Sequence, residues 1–231
     1  MIRPLDVATS LAATLARGGA GLSVGALGPR PAQPLELYEF ESCPYCRKVR
    51  EALTTLDLEA MIRPCPKGGP NFREWVKREG GKAQFPYLVD PNTGKALYES
   101  DEIVRYLFAE YGDGRVPMLL SGGPINAVSG TLASALRLGG GVRYRPSRPP
   151  EQPLELWSFE ASPFCRIARE ALCELEIPYL LHNVGKGSPS RDAFVARSGK
   201  MMVPYLVDPN TGVEMFESAD IVAYLESTYA E

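Results

Sequence analysis

The sequence predicts an α/β protein built from two copies of one unit. Each copy is ordered β-α-β-α-β-β-α and is preceded by a short helix. Three observations predict this. The first is a repeat: Gln33-Pro34-Leu35-Glu36-Leu37 returns as Gln152-Pro153-Leu154-Glu155-Leu156, and Phe85-Pro86-Tyr87-Leu88-Val89-Asp90 returns as Val203-Pro204-Tyr205-Leu206-Val207-Asp208. Glu99-Ser100 and Ile103 return as Glu217-Ser218 and Ile221. The offset is 119 between Gln33 and Gln152 and 118 between Pro86 and Pro204. That period is too long for a solenoid and marks two homologous domains. The second observation is that strand-length apolar runs alternate with stretches of helical spacing. The third is the turn Asp90-Pro91-Asn92-Thr93-Gly94, copied as Asp208-Pro209-Asn210-Thr211-Gly212, set between two short apolar runs. Such a turn predicts a hairpin.

The elements follow in order. Val7, Leu11 and Leu15 form a stripe of period four ahead of Gly18-Gly19. Val128, Leu132 and Leu136 form the same stripe ahead of Gly139-Gly140, at an offset of 121. Each unit therefore opens with a short helix, a glycine stop and a Gly/Pro-rich connector. The first unit is expected at 1–118 (helix 6–17, connector, then 34–112). The second is expected at 119–231 (helix 127–138, connector, then 153–231). Residues 1–20 carry Arg3 and Arg17 with few acids, a composition shared with transit peptides. A targeting peptide has no reason to be copied into the middle of a chain, so a structural helix is expected, covering a sheet face or an interface. Within the first unit, 35–40 reads as a strand and 44–56 as a helix, with Val49, Leu53 and Leu56 on its apolar side. A parallel strand is expected at 60–63, a Pro/Gly-rich loop at 64–71 and a helix at 72–79. Strands at 87–89 and 96–98 flank the hairpin turn, and Ser100 is expected to cap a helix bearing Ile103, Val104 and Leu107. Residues 116–120 read as an apolar connector. A leading helix in each unit invites an internal pseudo-dimer.

Composition narrows the function classes. The 231 residues are 45% hydrophobic and 23% charged, ordinary for a globular chain. A net charge of −3 gives no basic footprint for nucleic acid. No apolar run approaches the ~18 residues of a membrane span. Five cysteines, unevenly placed, do not make a secreted disulfide scaffold. A reducing, cytoplasmic setting is expected, with organelle targeting left open.

The chemistry centres on Glu41-Ser42-Cys43-Pro44-Tyr45-Cys46-Arg47. The motif lies where a strand ends and a helix begins. Pro44 suits the first helical turn, where no donor is lost. Cys43 then faces the unpaired N–H groups and positive dipole end of the helix, which stabilise a thiolate. The thiolate is the species that attacks disulfides. Cys46, one turn on, shares the face and can close a disulfide with Cys43. A zinc site uses the same spacing but needs two further Cys or His ligands. The chain has one histidine and no second C-x-x-C, so no metal is expected.

Strand, Cys-Pro-Tyr-Cys, helix, then Phe85-Pro86 before a hairpin, then Glu99-Ser100 opening a helix: this order resembles the glutaredoxin and glutathione-transferase N-terminal branch of the thioredoxin fold. The resemblance covers roughly 34–112 and 153–231. Cys43-Pro44-Tyr45-Cys46 looks like the dithiol glutaredoxin site. Glu99-Ser100, with Ile103 and Tyr106-Leu107 behind it, looks like the transferase glutathione-binding signature. The resemblance implies two tandem thioredoxin-like domains with glutathione as co-substrate and a protein or small-molecule disulfide as partner. It implies Cys43 as nucleophile and Cys46 as resolving thiol. Pro86 would be a cis-proline, with the Phe85 backbone pairing with the glutathione peptide. Glu99 would take the γ-glutamyl ammonium, and Ser100 with its helix N-terminus the γ-glutamyl carboxylate. Tyr45 would line the pocket. Lys67 or Lys82 would meet the glycine carboxylate.

The second unit departs from this pattern. Ser162-Pro163-Phe164-Cys165 stands where the first has Cys43 to Cys46. A hydroxyl cannot replace a thiolate in disulfide exchange. With Val203, Pro204, Glu217 and Ser218 kept, this half reads as degenerate or as a glutathione-binding site. Serine-type transferases place a serine here to hold the glutathione thiolate. Cys165 and Cys173 read as small core residues, Cys65 as a loop cysteine, and His182 as an exposed or hydrogen-bonded strand-end residue. Three alternatives stand beside the oxidoreductase. One is a transferase or dehydroascorbate-reductase-like enzyme, disfavoured because only a connector and one short helix follow the first module where that family carries a helical domain. Another is a carrier of a glutathione-ligated iron–sulfur cluster, ranked below the enzyme. The last is a non-catalytic binding module.

Overall fold

The computed structural model describes residues 4–121, 132, 137 and 139–231. The chain opens with α1 (Pro4–Ala16). The first unit continues with β1 (Leu35–Glu39), α2 (Pro44–Thr55), β2 (Ala60–Pro64), α3 (Phe72–Glu79), β3 (Tyr87–Asp90), β4 (Lys95–Leu97) and α4 (Ser100–Tyr111). The second repeats it as β5 (Leu154–Ser158), α5 (Pro163–Glu174), β6 (Tyr179–Asn183), α6 (Ser190–Ser198), β7 (Tyr205–Asp208), β8 (Val213–Phe216) and α7 (Ser218–Tyr229). The order β-α-β-α-β-β-α holds in both. Of the second leading helix expected at 127–138, all but 132 and 137 lie outside the described residues, Val128 and Leu136 among them.

In each unit the first two strands run parallel and the third is antiparallel to the first, with Leu35↔Ala60 and Leu37↔Leu88 in the first unit and Leu154↔Tyr179 and Leu156↔Leu206 in the second. The units join through an antiparallel pairing of β2 with β6, registered Ala60↔Leu181, Met61↔Leu180 and Ile62↔Tyr179. One eight-stranded sheet results, ordered β4-β3-β1-β2-β6-β5-β7-β8. That order is palindromic about the β2–β6 seam, so the chain is an internal pseudo-dimer.

Strand alternation sorts the side chains. Leu35 and Leu37 meet Val49, Leu53 and Leu107 of α2 and α4, and this core continues without a break into Leu156, Leu172, Tyr179 and Leu225 of the second unit. Tyr38 faces the other way and packs with Val76 of α3, Tyr87 and Cys65. Each hairpin is tied to its last helix by one buried carboxylate. Asp90 accepts from the Asn92 backbone N–H at 2.8 Å and from the hydroxyls of Tyr106 and Tyr111. Asp208 accepts from Asn210, Tyr224 and Tyr229 in the same way.

The segments ahead of each unit cross to the other one. Helix α1 packs on α5: the Ser10 hydroxyl donates to the Pro163 carbonyl at 2.9 Å and the Thr14 hydroxyl to the Ala161 carbonyl at 2.8 Å. The connector after α1 pairs with the loop after β6, Val24 N–H to Lys186 O at 3.0 Å, before returning to its own unit at Tyr111. The second connector pairs likewise with Lys67, whose N–H donates to Val142 O at 2.6 Å. Gly21 and Gly141 make the crossings close. A Cβ there would stand 2.8 Å from Glu160 Cβ and 2.7 Å from Glu41 Cβ, respectively. Arg17 pairs with Glu51 and Arg137 with Glu170 at equivalent points. This register sets Gly21 against Gly141, one residue away from the sequence alignment of Gly18-Gly19 with Gly139-Gly140, because close backbone approach rather than the leucine stripe fixes it.

Candidate active site

Cys43 is the N-cap of α2, in extended backbone conformation, with Pro44 as the first helical residue. Its Sγ accepts the Cys46 backbone N–H at 3.3 Å, and its own N–H closes a turn onto Phe40 O at 3.1 Å. The thiol sits below the ordinary cysteine range. The hydrogen bond with the Cys46 side chain lowers it most; burial opposes, and the N–H groups of Cys46 and Tyr45 and the charge of Arg50 assist. Cys46 moves the other way. It is fully buried, and burial, then its hydrogen bond to Cys43, pushes its thiol well up. The motif thus separates one thiol disposed to ionise from a partner disposed to keep its proton. Tyr45 is exposed at the rim.

The loop ahead of β3 is brought to this motif. The Phe85–Pro86 peptide is cis, as is Val203–Pro204. The Phe85 ring meets the Phe40 ring edge-on at 6.3 Å, and the Arg73 guanidinium lies 4.6 Å from the Phe85 centroid and 5.9 Å from that of Phe40. Gln84 donates its side-chain amide to Glu99, which joins the loop to the start of α4. Glu99 holds φ 64° and ψ 113°, and Glu217 repeats this with φ 65° and ψ 117°. A non-glycine residue in that region is strained, and such strain concentrates at functional sites. This corrects the expected cap. Ser100 is the first residue of α4, and Glu99 takes the cap position without a side-chain cap bond; its carbonyl accepts Ile103 N–H at 2.9 Å. The positive φ turns the Glu99 side chain away from the helix N–H groups, where it stays exposed. Ser100 is buried.

Lys67 and Lys82 are the cations the sequence offers for a carboxylate; the structure sets Arg73 beside Phe40 and Phe85. Lys82 lies 4.6 Å from the Tyr98 ring centroid, and Lys67 belongs to the inter-unit crossing. Arg73 is held by the carbonyls of Cys65 and Pro66 at 3.0 and 3.2 Å. Only the fold brings it between Phe40 and Phe85, so no local pattern announces it. Cys65 does not lie in an open loop. It is fully buried beside β1, its N–H donating to Glu39 O at 2.6 Å, and burial pushes its thiol well up.

The second unit keeps the frame and loses the thiol. Ser162 caps α5, its Oγ accepting Cys165 N–H at 3.2 Å. Cys165 and Cys173 are buried, and Cys173 bonds to Glu41 N–H and Gly141 O. Met202 and Val203 stand where the first unit has Gln84 and Phe85, so the amide link and the aromatic wall are both absent. Ser218 is buried like Ser100. His182 lies between Glu59 and Glu155 and stacks on Trp157 at 4.3 Å, across the β2–β6 seam.

Beneath both caps lies a buried ionic layer between α2 and α5. Arg50 pairs with Glu39 and, at 2.9 Å, with Glu160. Arg169 pairs with Glu41 at 3.1 Å and Glu160 at 2.7 Å. All five side chains are at most 2% exposed. Burial raises the Glu160 carboxyl, but the surrounding arginines outweigh it and bring it to about 2. Among the described residues no helix is long and apolar enough to cross a membrane.

A family model described as "Glutathione S-transferase, N-terminal domain" matches residues 37–125 and 156–231. No curated protein matches the chain. Among solved structures the chain is similar to one described as "Leishmania TDR1 - a unique trimeric glutathione transferase", with 14% identity over 87% of this chain and 68% of that one and a TM-score of 0.31.

Proposed function

From a chain that belongs to the glutathione S-transferase N-terminal domain family, we propose a glutathione-dependent thiol–disulfide oxidoreductase, active in the first unit. The observation that carries this reading is the split pair: Cys43, capped by N–H groups, is lowered, while buried Cys46 is raised. The Cys43 thiolate attacks a glutathione mixed disulfide, forms Cys43–S–SG and releases the substrate thiolate, which takes up a proton. A glutathione thiolate then attacks that bond, giving oxidised glutathione and the Cys43 thiolate. With a substrate disulfide, Cys43 forms a mixed disulfide with one substrate sulfur and releases the other as a thiolate, which takes the Cys46 proton. Cys46 then attacks the Cys43 sulfur, closes Cys43–Cys46 and expels the remaining substrate sulfur as a thiolate that is protonated by solvent. Two glutathiones reopen the pair as oxidised glutathione and two thiols. Pro86, Glu99 and Ser100 hold glutathione in this reading, and Arg73 is better set than Lys67 or Lys82 for its glycine carboxylate. Neither route needs an iron–sulfur cluster.

Ser162 supports a subsidiary reading for the second unit: glutathione binding without disulfide exchange. Its hydroxyl accepts the Cys165 N–H and keeps its own proton to donate to a glutathione sulfur.

Glutathione-coupled reduction of a small mixed disulfide tests the main reading in wild type, Cys43→Ser and Cys46→Ser. Turnover lost in Cys43→Ser and kept in Cys46→Ser is expected. Loss in both variants assigns the dithiol route. An inert wild type, or a Cys43→Ser variant with full turnover, refutes the assignment.

A further inference from the structure

Helix α3, which carries Arg73, starts without a cap of its own. Asn71 stands at the cap position and its side chain accepts no bond from the helix. The cap comes from the other unit. Glu176, just past the end of α5, is 2% exposed and holds a left-handed φ of 50°. Its carboxylate accepts the Phe72 N–H at 3.0 Å, the Asn71 N–H at 3.1 Å and the Asn71 side-chain amide at 2.9 Å. A carboxylate there meets both the unpaired N–H groups of a helix start and the positive end of its dipole. The loop ahead of α3 closes over this carboxylate: a Cβ at Gly69 would stand 2.6 Å from Glu176 Oε1. The same loop supplies the Cys65 and Pro66 carbonyls that hold the Arg73 guanidinium, and its Lys67 is bonded to Val142 and Tyr144 of the second connector. Arg73 itself enters no ion pair among the described residues.

The reverse contact is not equivalent. Asp57 stands where the second unit has Glu176, with the same backbone turn at φ 52°, but its side chain is one methylene shorter. It meets the hydroxyls of Ser188 and Ser190, Ser190 at 3.3 Å, rather than backbone N–H groups. The first N–H of α6 turns instead to the Ser188 hydroxyl at 3.0 Å. Arg191, the counterpart of Arg73, is held by one carbonyl, that of Val184 at 3.1 Å, where Arg73 is held by two. The full carboxylate cap is thus built on the side that carries Cys43. A device that served only to join the units would be built alike on both sides.

We propose that Glu176, a residue of the second unit, is a positioning residue for the first unit's glutathione site: it sets α3 so that Arg73 meets the glycine carboxylate. This rests on the reading of that site given above. Single-turnover release of a peptide from its glutathione mixed disulfide tests it on the full chain, because Cys43 alone attacks and forms Cys43–S–SG. The substrate is used with its glycine carboxylate free and as the ethyl ester. Wild type should release peptide faster from the acid than from the ester. Glu176→Asp recreates the shorter reach of Asp57. Its rate constant at subsaturating protein should fall about tenfold for the acid, the scale of one charged hydrogen bond, and stay unchanged for the ester. Glu176→Gln, of the same shape with half the acceptor, should fall less and serves where the shorter acid does not fold. Arg73→Gln should lose the preference for the acid, and adding Glu176→Asp to it should cost nothing more. Asp57→Ala should leave both rates as in wild type. Equal rates for the acid in wild type and the Glu176 variants, or equal falls for acid and ester, overturn the proposal and leave the glutathione reading standing. A wild type that releases no peptide, or that treats acid and ester alike, overturns the reading of the site and this proposal with it.

Discussion

At the scale of the residue, the proposed chemistry rests on the contrast between Cys43 and Cys46. The largest influence lowering Cys43 is its hydrogen bond with the Cys46 side chain; the backbone N–H groups come after. Removing that side chain therefore raises the Cys43 pKa. In Cys46→Ala the pH midpoint for alkylation by iodoacetamide should move upward from wild type, whereas Cys46→Ser, which keeps a hydroxyl donor, should move less. Equal midpoints in all three proteins would assign the shift to the backbone alone. The sign for stability follows from linkage. A thiol lowered by folding contributes stability that is fully present above its unfolded value of about 8.5 and is lost as pH falls through the lower folded value. Cys43→Ser should therefore flatten the pH dependence of the melting midpoint over that window. These two cysteines were legible in the sequence because Pro44 and the strand-to-helix change place them at a helix start. Arg73 and Gln84 were not, because both come to the site through tertiary contacts that leave no local pattern. The strain at Glu99 was equally hidden, since Glu-Ser ahead of a helix reads as a plain cap.

At the scale of the element, the hairpin and last helix of each unit turn about one carboxylate. Asp90 accepts two tyrosine hydroxyls and the Asn92 N–H, and these bonds hold it below the usual carboxylate range although burial works against them. Its contribution is present above the unfolded pKa of about 3.9 and fades as pH drops through the folded value. Asp90→Ala leaves Tyr111 with a buried, unmatched hydroxyl and should cost about 2–4 kcal/mol in urea unfolding. A cost below about 1 kcal/mol would show that solvent replaces these bonds. The sequence exposed the hairpin through its Asp-Pro-Asn-Thr-Gly turn, and Gly94 is required there by its φ of 73°. It did not expose the clamp, because the tyrosines lie 16 and 21 residues away on a helix whose rotation was unknown. The leading helix and its place at an interface are legible in the sequence; the helix it meets, α5 of the other unit, is not. A stripe of leucines announces an amphipathic helix without naming its partner; Leu11 and Leu15 are exposed in the structure, and the polar Ser10 and Thr14 make the contact with α5.

At the scale of the whole molecule, the repeat predicted two domains, and what joins them lies in charges that sequence reading passes over. Glu41, Arg47, Arg50 and Glu51 on one side, and Glu160, Arg166, Arg169 and Glu170 on the other, recur at matching places in the repeat. Charged residues on a helix ordinarily mean a solvated face, so the copied pattern carried little weight until the structure buried it. Here the sheet seam, the crossing of α1, both connectors and the ionic layer all pass from unit to unit. The two units should therefore unfold together. Calorimetry of the full chain should give one transition whose calorimetric and van't Hoff enthalpies agree, the mark of a single cooperative unit. Glu160 is the sharpest place to test this coupling, because it meets Arg50 of one unit and Arg169 of its own. Glu160→Gln leaves buried guanidinium charge unmatched and should cost about 3–5 kcal/mol. If the units are coupled, the transition of Glu160→Gln shifts down whole, and the first unit loses stability although no residue of it has changed. If the transition instead divides in two, with the first unit melting where it did in wild type, the ionic layer is an ornament of the second unit, and the pseudo-dimer rests on the sheet seam alone.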